Sequence, residues 1–267
     1  MAKFSIFGAS GFIGKHLCNY LKREGNEVIP IPRGSFPAKH ANVGHAIYCI
    51  GLTADLSTKL VETTTAHVSL IADIAENHRF DSLVYLSTTR VYMGSQTSDE
   101  DAPLLVRPTD VKHVYILSKL TGEAVCLARG FRVARLSNVL GAGDHSERFI
   151  ASLLKDAENT GRVVFRTSPQ SAKDYIDIGD ACRLVADIAL RGTRQIYNVA
   201  SGTAIDNRTI ARMLAEQTGA QVSFAPSSPT ISFPPIDISR VQTEFGFRPT
   251  PFDATFAKLA REVRVPT

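Results

Sequence analysis

Apolar residues gather in short blocks at residues 3–7, 27–31, 45–50, 82–87 and 131–136, each the length of a β-strand and each closed by polar or glycine-containing punctuation. After the first block, Ile13, Leu17, Tyr20 and Leu21 recur on one face of a helix. Residues 57–77 and 109–129 predict two further, longer helices between strands. Strands alternating with helices predict a parallel sheet covered on both faces. The expected fold class is therefore α/β, a Rossmann-type doubly wound sheet. Between residues 33 and 44 the connection is rich in Gly, Pro, His and Lys and leaves too little chain for a helix and a strand, so one βα unit is trimmed away. Beyond Gly141 the pattern loosens. A helix is predicted near 147–159, a strand at 163–166, helices near 180–190 and 205–218, and a Pro- and Ser-rich surface loop at 225–235. The expected division is a sheet domain over 1–165 and a smaller C-terminal lobe over 166–267, with some elements interleaved.

Composition agrees with a globular chain. Of 267 residues 44% are apolar and 21% charged, which excludes disorder, collagen and coiled coil. The net charge of +4 is dispersed, giving nucleic-acid binding no support. Cys18, Cys49, Cys126 and Cys182 lie far apart among apolar neighbours, so neither disulfides nor a zinc site is expected, and the histidines show no metal spacing. The N-terminus runs into a glycine loop without signal-peptide form, and no segment reaches the ~20 apolar residues of a membrane span. A cytoplasmic protein is expected.

Three features carry chemistry. Gly8, Gly11 and Gly14 fall between the first strand and the first helix, where a tight turn brings backbone N–H groups and the positive helix end toward a pyrophosphate. The expected cofactor-binding residues are Gly8, Ser10, Gly11, Phe12, Ile13 and Gly14, with Ile50 and Gly51 after the third strand. The second strand ends in Ile-Pro-Arg-Gly without the acidic residue that binds an adenosine ribose; Arg33 suits a 2′-phosphate instead, so NADP is preferred and NAD is the alternative. Tyr115 and Lys119, four apart on a predicted helix, share a face; an ammonium beside a phenol brings its pKa down from ~10 toward the working range. Ser87, Thr88 and Thr89 end the fourth strand, at the sheet edge where ligands bind, and a hydroxyl there polarises a substrate oxygen beside Tyr115. His113 reads as a surface histidine, and Asp99, Glu100 and Asp101 as a solvated loop tip. No nucleophile elbow surrounds Ser201.

In this order the glycine loop, Ser-Thr-Thr-Arg-Val-Tyr and Tyr-Ile-Leu-Ser-Lys resemble the extended short-chain dehydrogenase/reductase superfamily, its nucleotide-sugar epimerase, dehydratase and reductase group, over nearly the whole chain. The resemblance implies a catalytic Thr88, Tyr115 and Lys119. It implies substrate contacts at Thr89 and at Asn138 in Arg-Leu-Ser-Asn-Val-Leu-Gly. Lys173 stands where the family usually has a diphosphate-gripping arginine, and Arg166 is expected to share that work. The implied substrate is a sugar nucleotide or a sugar on another carrier. Reduction of a 4-keto sugar by NADPH is the first expectation, an NAD-dependent 4-epimerase the alternative, and a catalytically silent NAD(P)-sensing protein the alternative from another class. With Thr89 and Arg90 where dehydration needs an acid and a base, a dehydratase is disfavoured. A homodimer through the 57–77 and Tyr115 helices is implied as well.

Overall fold

The computed structural model describes residues 1–32, 34–52, 59–110, 113–143 and 149–263. Its largest sheet contains β1 (Lys3–Phe7), β2 (Glu27–Ile31), β3 (His45–Tyr48), β4 (Ser82–Thr88), β5 (Arg132–Leu136) and, from much later in the chain, β9 (Ile196–Val199). The order is β2-β1-β3-β4-β5-β9 and every neighbouring pair is parallel. A single strand lies beyond β1, as the short connection at 33–44 requires. That edge strand holds Pro30, whose missing N–H costs little there.

Alternating side chains dress both faces of the sheet. Phe4, Ile6, Val84 and Leu86 join a buried cluster with α1 (Phe12–Arg23) and α6 (Ile178–Arg191). Phe7, Tyr48, Leu83 and Tyr85 point the other way, into a cluster with α3 (Leu70–Asn77) and the end of α4 (His113–Leu127). The predicted 57–77 helix is one composite rod: α2 (Leu60–Thr64), a π-helical turn at Thr65–Ser69, then α3. Residues 57 and 58 lie outside the described residues.

The later chain builds a second core. In it α5 (Phe149–Thr160), β7 (Arg162–Phe165), α7 (Asn207–Thr218), β11 (Gln221–Phe224) and α9 (Phe252–Val263) bring together Leu153, Phe165, Ile210, Leu214 and Phe256. A three-stranded ribbon, β10 (Ala204–Asp206), β8 (Ala172–Asp177) and β6 (Asn138–Leu140), runs beside it. Strand β8 serves both cores, since Ile176 packs into the sheet cluster and Tyr175 into the second. Aspartates start the helices that follow: Asp177 accepts from Gly179 N–H at 2.7 Å and Asp206 from Thr209 N–H at 2.8 Å.

A buried network ties the sheet to α4. Arg135, 3% exposed, donates to Glu123 Oε2 at 2.7 Å and to the Tyr92 hydroxyl at 2.9 Å; Ser87 donates to Glu123, and Tyr92 to Asn198. Within the acidic run at 99–101, Asp99 and Asp101 are exposed as expected, but Glu100 departs from a solvated tip. Glu100 is buried, accepts from Asn198 N–H at 3.0 Å and faces Arg240, while Asp101 pairs with Arg240 at 2.7 Å, so the run clamps the loop onto the later chain. Among the described residues the cysteines are free, no helix is long and apolar enough to cross a membrane, and no cluster could hold a metal ion.

Candidate active site

A cleft of about 520 Å³ opens at the carboxyl ends of the sheet strands, between the glycine turn, the end of β4, α4 and the β6–β8 ribbon. Sheet order explains its position. The chain leaves β1 for β2 on one side and returns to β3 on the other, which leaves a crevice where the two connections part.

The glycine turn meets the demands of a pyrophosphate. Gly8 has φ of 83°, a conformation costly for other residues, and a Cβ on Gly14 would lie 2.3 Å from the Gly8 carbonyl oxygen. Helix α1 thus starts hard against the turn. Its N-cap is Gly11, with no side-chain cap and no acidic residue in the first turn, so the free N–H groups and positive end face the cleft. Gly11, Phe12, Ile13, Gly14 and Gly51 line the cleft. Gly8 lies inside the turn, Ser10 is exposed beside it, and Ile50 packs beneath Gly8. The residues present fit a dinucleotide. Arg33, expected to choose the 2′-phosphate, lies outside the described residues.

Thr88, Thr89, Tyr115 and Lys119 all line this cleft. Thr88 is the last residue of β4; its Oγ1 accepts from Arg90 N–H at 3.2 Å, and its hydroxyl is near enough to the Tyr115 phenol to favour the phenolate. Tyr115 is 6% exposed. Burial pushes its pKa up from the ordinary phenol value, against the opposing pull of Arg90 and Thr88. The ammonium expected to bring the phenol down is engaged elsewhere. Lys119 Nζ donates to the Leu86 carbonyl at 2.8 Å and lies 4.8 Å from the Tyr85 ring, while burial, opposed by Glu123, lowers its pKa to about 8. The charge acting on the phenol belongs to Arg90, whose guanidinium carbon is 5.8 Å from the Tyr115 ring centre. One helical turn brings Tyr115 and Lys119 to one cleft, but the backbone carbonyl of β4 captures the ammonium.

His67 carries no sequence signal beyond being a helix residue, and it is the group that ties these parts together. It is fully buried in the π-helical turn; Nε2 accepts from Leu52 N–H at 3.1 Å, which leaves Nδ1 to donate to Ser118 Oγ at 2.8 Å. Ser118 in turn donates to the Tyr115 carbonyl at 2.9 Å. The His67 ring stands edge-on to Tyr115, centres 5.5 Å apart. Burial and the charge of Lys119 hold its pKa down to about 3, so the ring is neutral.

On the opposite wall Asn138 donates to the Asp174 carbonyl at 2.7 Å and Lys173 Nζ lies 4.7 Å from the Phe149 ring. Burial and Arg90 lower the Lys173 pKa. Asp174 is the one carboxylate among the described lining residues, and Ser201 holds it through N–H at 2.9 Å and Oγ at 3.0 Å. Two expectations fail: Arg166 does not reach the cleft, and His113 is not at the surface. Arg166 is exposed after β7 and absent from the lining, because β7 runs along the second core. His113 is buried at the start of α4, where Nδ1 accepts from Arg107 N–H at 3.2 Å. Part of the 225–235 loop does reach it: Phe233 and Pro234 line the cleft, a contact no local pattern predicts.

Comparison with known proteins gives a consistent family signal. The model of the NAD dependent epimerase/dehydratase family matches residues 5–68 and 42–200. The chain is 28% identical over 204 residues to a dTDP-glucose 4,6-dehydratase of Streptomyces griseus, a match covering 71% of this chain and 60% of that relative's length. It is 23% identical to a dTDP-6-deoxy-L-talose 4-dehydrogenase (NAD(P)(+)) of Kitasatospora kifunensis, over 93% of this chain and 91% of the other. Among solved structures, MoeE5 in complex with UDP-glucuronic acid and NAD superposes with a TM-score of 0.80 at 22% identity, covering 98% of this chain and 99% of that one.

Proposed function

The chain belongs to the NAD dependent epimerase/dehydratase family, and we propose that it is an NAD(P)-dependent oxidoreductase that reduces a keto group, at carbon 4, of a sugar carried on a nucleotide. The observation that carries this reading is that Thr88, Tyr115 and Lys119 line the same cleft as the glycine turn. When bound, the nicotinamide supplies the hydride that the sugar carbon receives. Tyr115 supplies the proton. Its raised pKa keeps the phenol protonated at neutral pH, the form a reduction consumes, while Thr88 and Arg90 stabilise the phenolate left behind. Lys119 stands with its ammonium near Gly51, where it is available to ribose hydroxyls, and Asn138 and Lys173 receive the sugar and its phosphates from the other wall.

Several residues sharpen the choice of reaction. Dehydration needs an acid and a base beside the departing hydroxyl; Thr89 and Arg90 open the short helical turn that follows β4, and the Asp174 carboxylate is held by Ser201. The missing acid after β2 and the basic Arg33 support NADP. The test is reduced-nicotinamide oxidation against a panel of 4-keto sugar nucleotides, with mass analysis of the cofactor that co-purifies. Stoichiometric oxidation of NADPH supports the reading. Interconversion of 4-epimers on tightly held NAD, without net oxidation, replaces it with an epimerase, and silence across the panel with cofactor bound replaces it with a sensing protein.

A further inference from the structure

Of the charged groups in the cleft, Arg90 is the one the reduction leaves half explained. Three cations line the described walls, Arg90, Lys119 and Lys173, against the single carboxylate of Asp174, which Ser201 already holds. Lys119 has the Leu86 carbonyl and Lys173 lies on Phe149. Arg90 is exposed to the cleft, has no side-chain hydrogen bond or carboxylate partner among the described residues, and lies over the ring of Tyr115 at 5.8 Å. A ring contact uses none of its five N–H donors. Its charge also disfavours the protonated form of Lys173. Covering two such cations with a neutral sugar strands them from water without a counter-ion, which is costly.

Resting on the reading above, we propose that Arg90 selects a nucleotide-linked sugar acid, by pairing with a carboxylate borne on the carbon next to the reacting one. Position decides between this anion and the carrier's phosphates. The Arg90 guanidinium carbon stands 5.8 Å from the ring centre of the reacting Tyr115, so whatever meets Arg90 lies beside the reacting carbon. In a hexose reacting at carbon 4, the diphosphate on carbon 1 is across the ring, whereas carbon 6 hangs on the adjacent carbon 5. A carbon-6 carboxylate is the anion within reach, and its two oxygens match the planar fork of a guanidinium. Lys173, on the opposite wall, is left to the phosphates.

The test is calorimetric binding to the cofactor-loaded protein, for the wild type, Arg90→Met and Arg90→Lys. The probes are UDP-glucuronate, UDP-glucose and UDP, with the thymidine diphosphate counterparts in parallel so that base preference does not mask the result. In the wild type the glucuronate form is expected to bind at least about tenfold tighter than the glucose form. In Arg90→Met the two are expected within about twofold of each other, with Arg90→Lys between, while the free nucleoside diphosphate keeps its affinity in all three and so reports an intact fold. Equal affinities in the wild type, or a preference that survives Arg90→Met, overturns the assignment to Arg90 and leaves the nucleotide-sugar reading standing. If none of the nucleotides, free or sugar-linked, binds the wild type, that reading falls and this inference with it.

Discussion

Lowering the pH should loosen this protein through His67. The imidazole is fully buried, so its free energy is little screened by solvent, and its pKa is held at about 3 against an ordinary 6.5. An unfolded chain therefore takes up a proton as pH falls below 6.5 while the folded one refuses it until about 3. Stability is lost progressively through that window and levels off beneath it. Each pH unit is worth about 1.4 kcal/mol, so the loss between neutrality and pH 5 is roughly 2 kcal/mol. Glu100 and Asp174 have raised pKa values and act in the opposite sense, at the acid end, where the folded state binds protons more readily. The His67→Gln variant isolates the imidazole, since Gln has no such titration and retains a donor and an acceptor for Ser118 and Leu52. Urea unfolding at pH 7 and pH 5 should show the wild type losing about 2 kcal/mol more than the variant. Parallel losses in both proteins would refute the assignment of a buried, neutral His67.

Other consequences follow from the same contacts. Glu123→Gln strands the buried Arg135 charge and should cost about 3–5 kcal/mol in urea unfolding, with Glu123→Leu/Arg135→Met recovering most of it; a single variant within 1 kcal/mol of wild type contradicts the pairing. Because Lys119 loses its proton near pH 8, dinucleotide affinity should weaken as pH rises through that value, and Lys119→Met should bind weakly with no such inflection in a titration by fluorescence quenching.

The legible parts of the fold are those with local punctuation. β1 and β2 end where glycine or proline ends the apolar run, so their bounds, Lys3–Phe7 and Glu27–Ile31, agree with the pattern residue for residue. The trimmed unit follows from counting residues between 33 and 44. The strands β6, β8, β10 and β11 are three to six residues long and owe their conformation to partners far along the chain; helix α9 begins beyond a Pro-rich stretch whose role only packing reveals. At the site, Thr88, Tyr115 and Lys119 were readable because their spacing puts them on one strand end and one helix face. What spacing cannot convey is competition. The Leu86 carbonyl takes the Lys119 ammonium, Arg90 faces the phenol instead, and a π-helical turn swings His67 between Leu52 and Ser118. Glu100 read as solvated because its partners, Asn198 and Arg240, are distant in sequence.

The most direct trial of the account is a single-turnover comparison of wild type and Tyr115→Phe, following the reduced-nicotinamide absorbance with a keto sugar nucleotide and, separately, cofactor binding. Removing one hydroxyl from a site where it supplies the proton should slow turnover by about 100-fold or more, with cofactor affinity unchanged within about threefold. Turnover by the phenylalanine variant at the wild-type rate would contradict it.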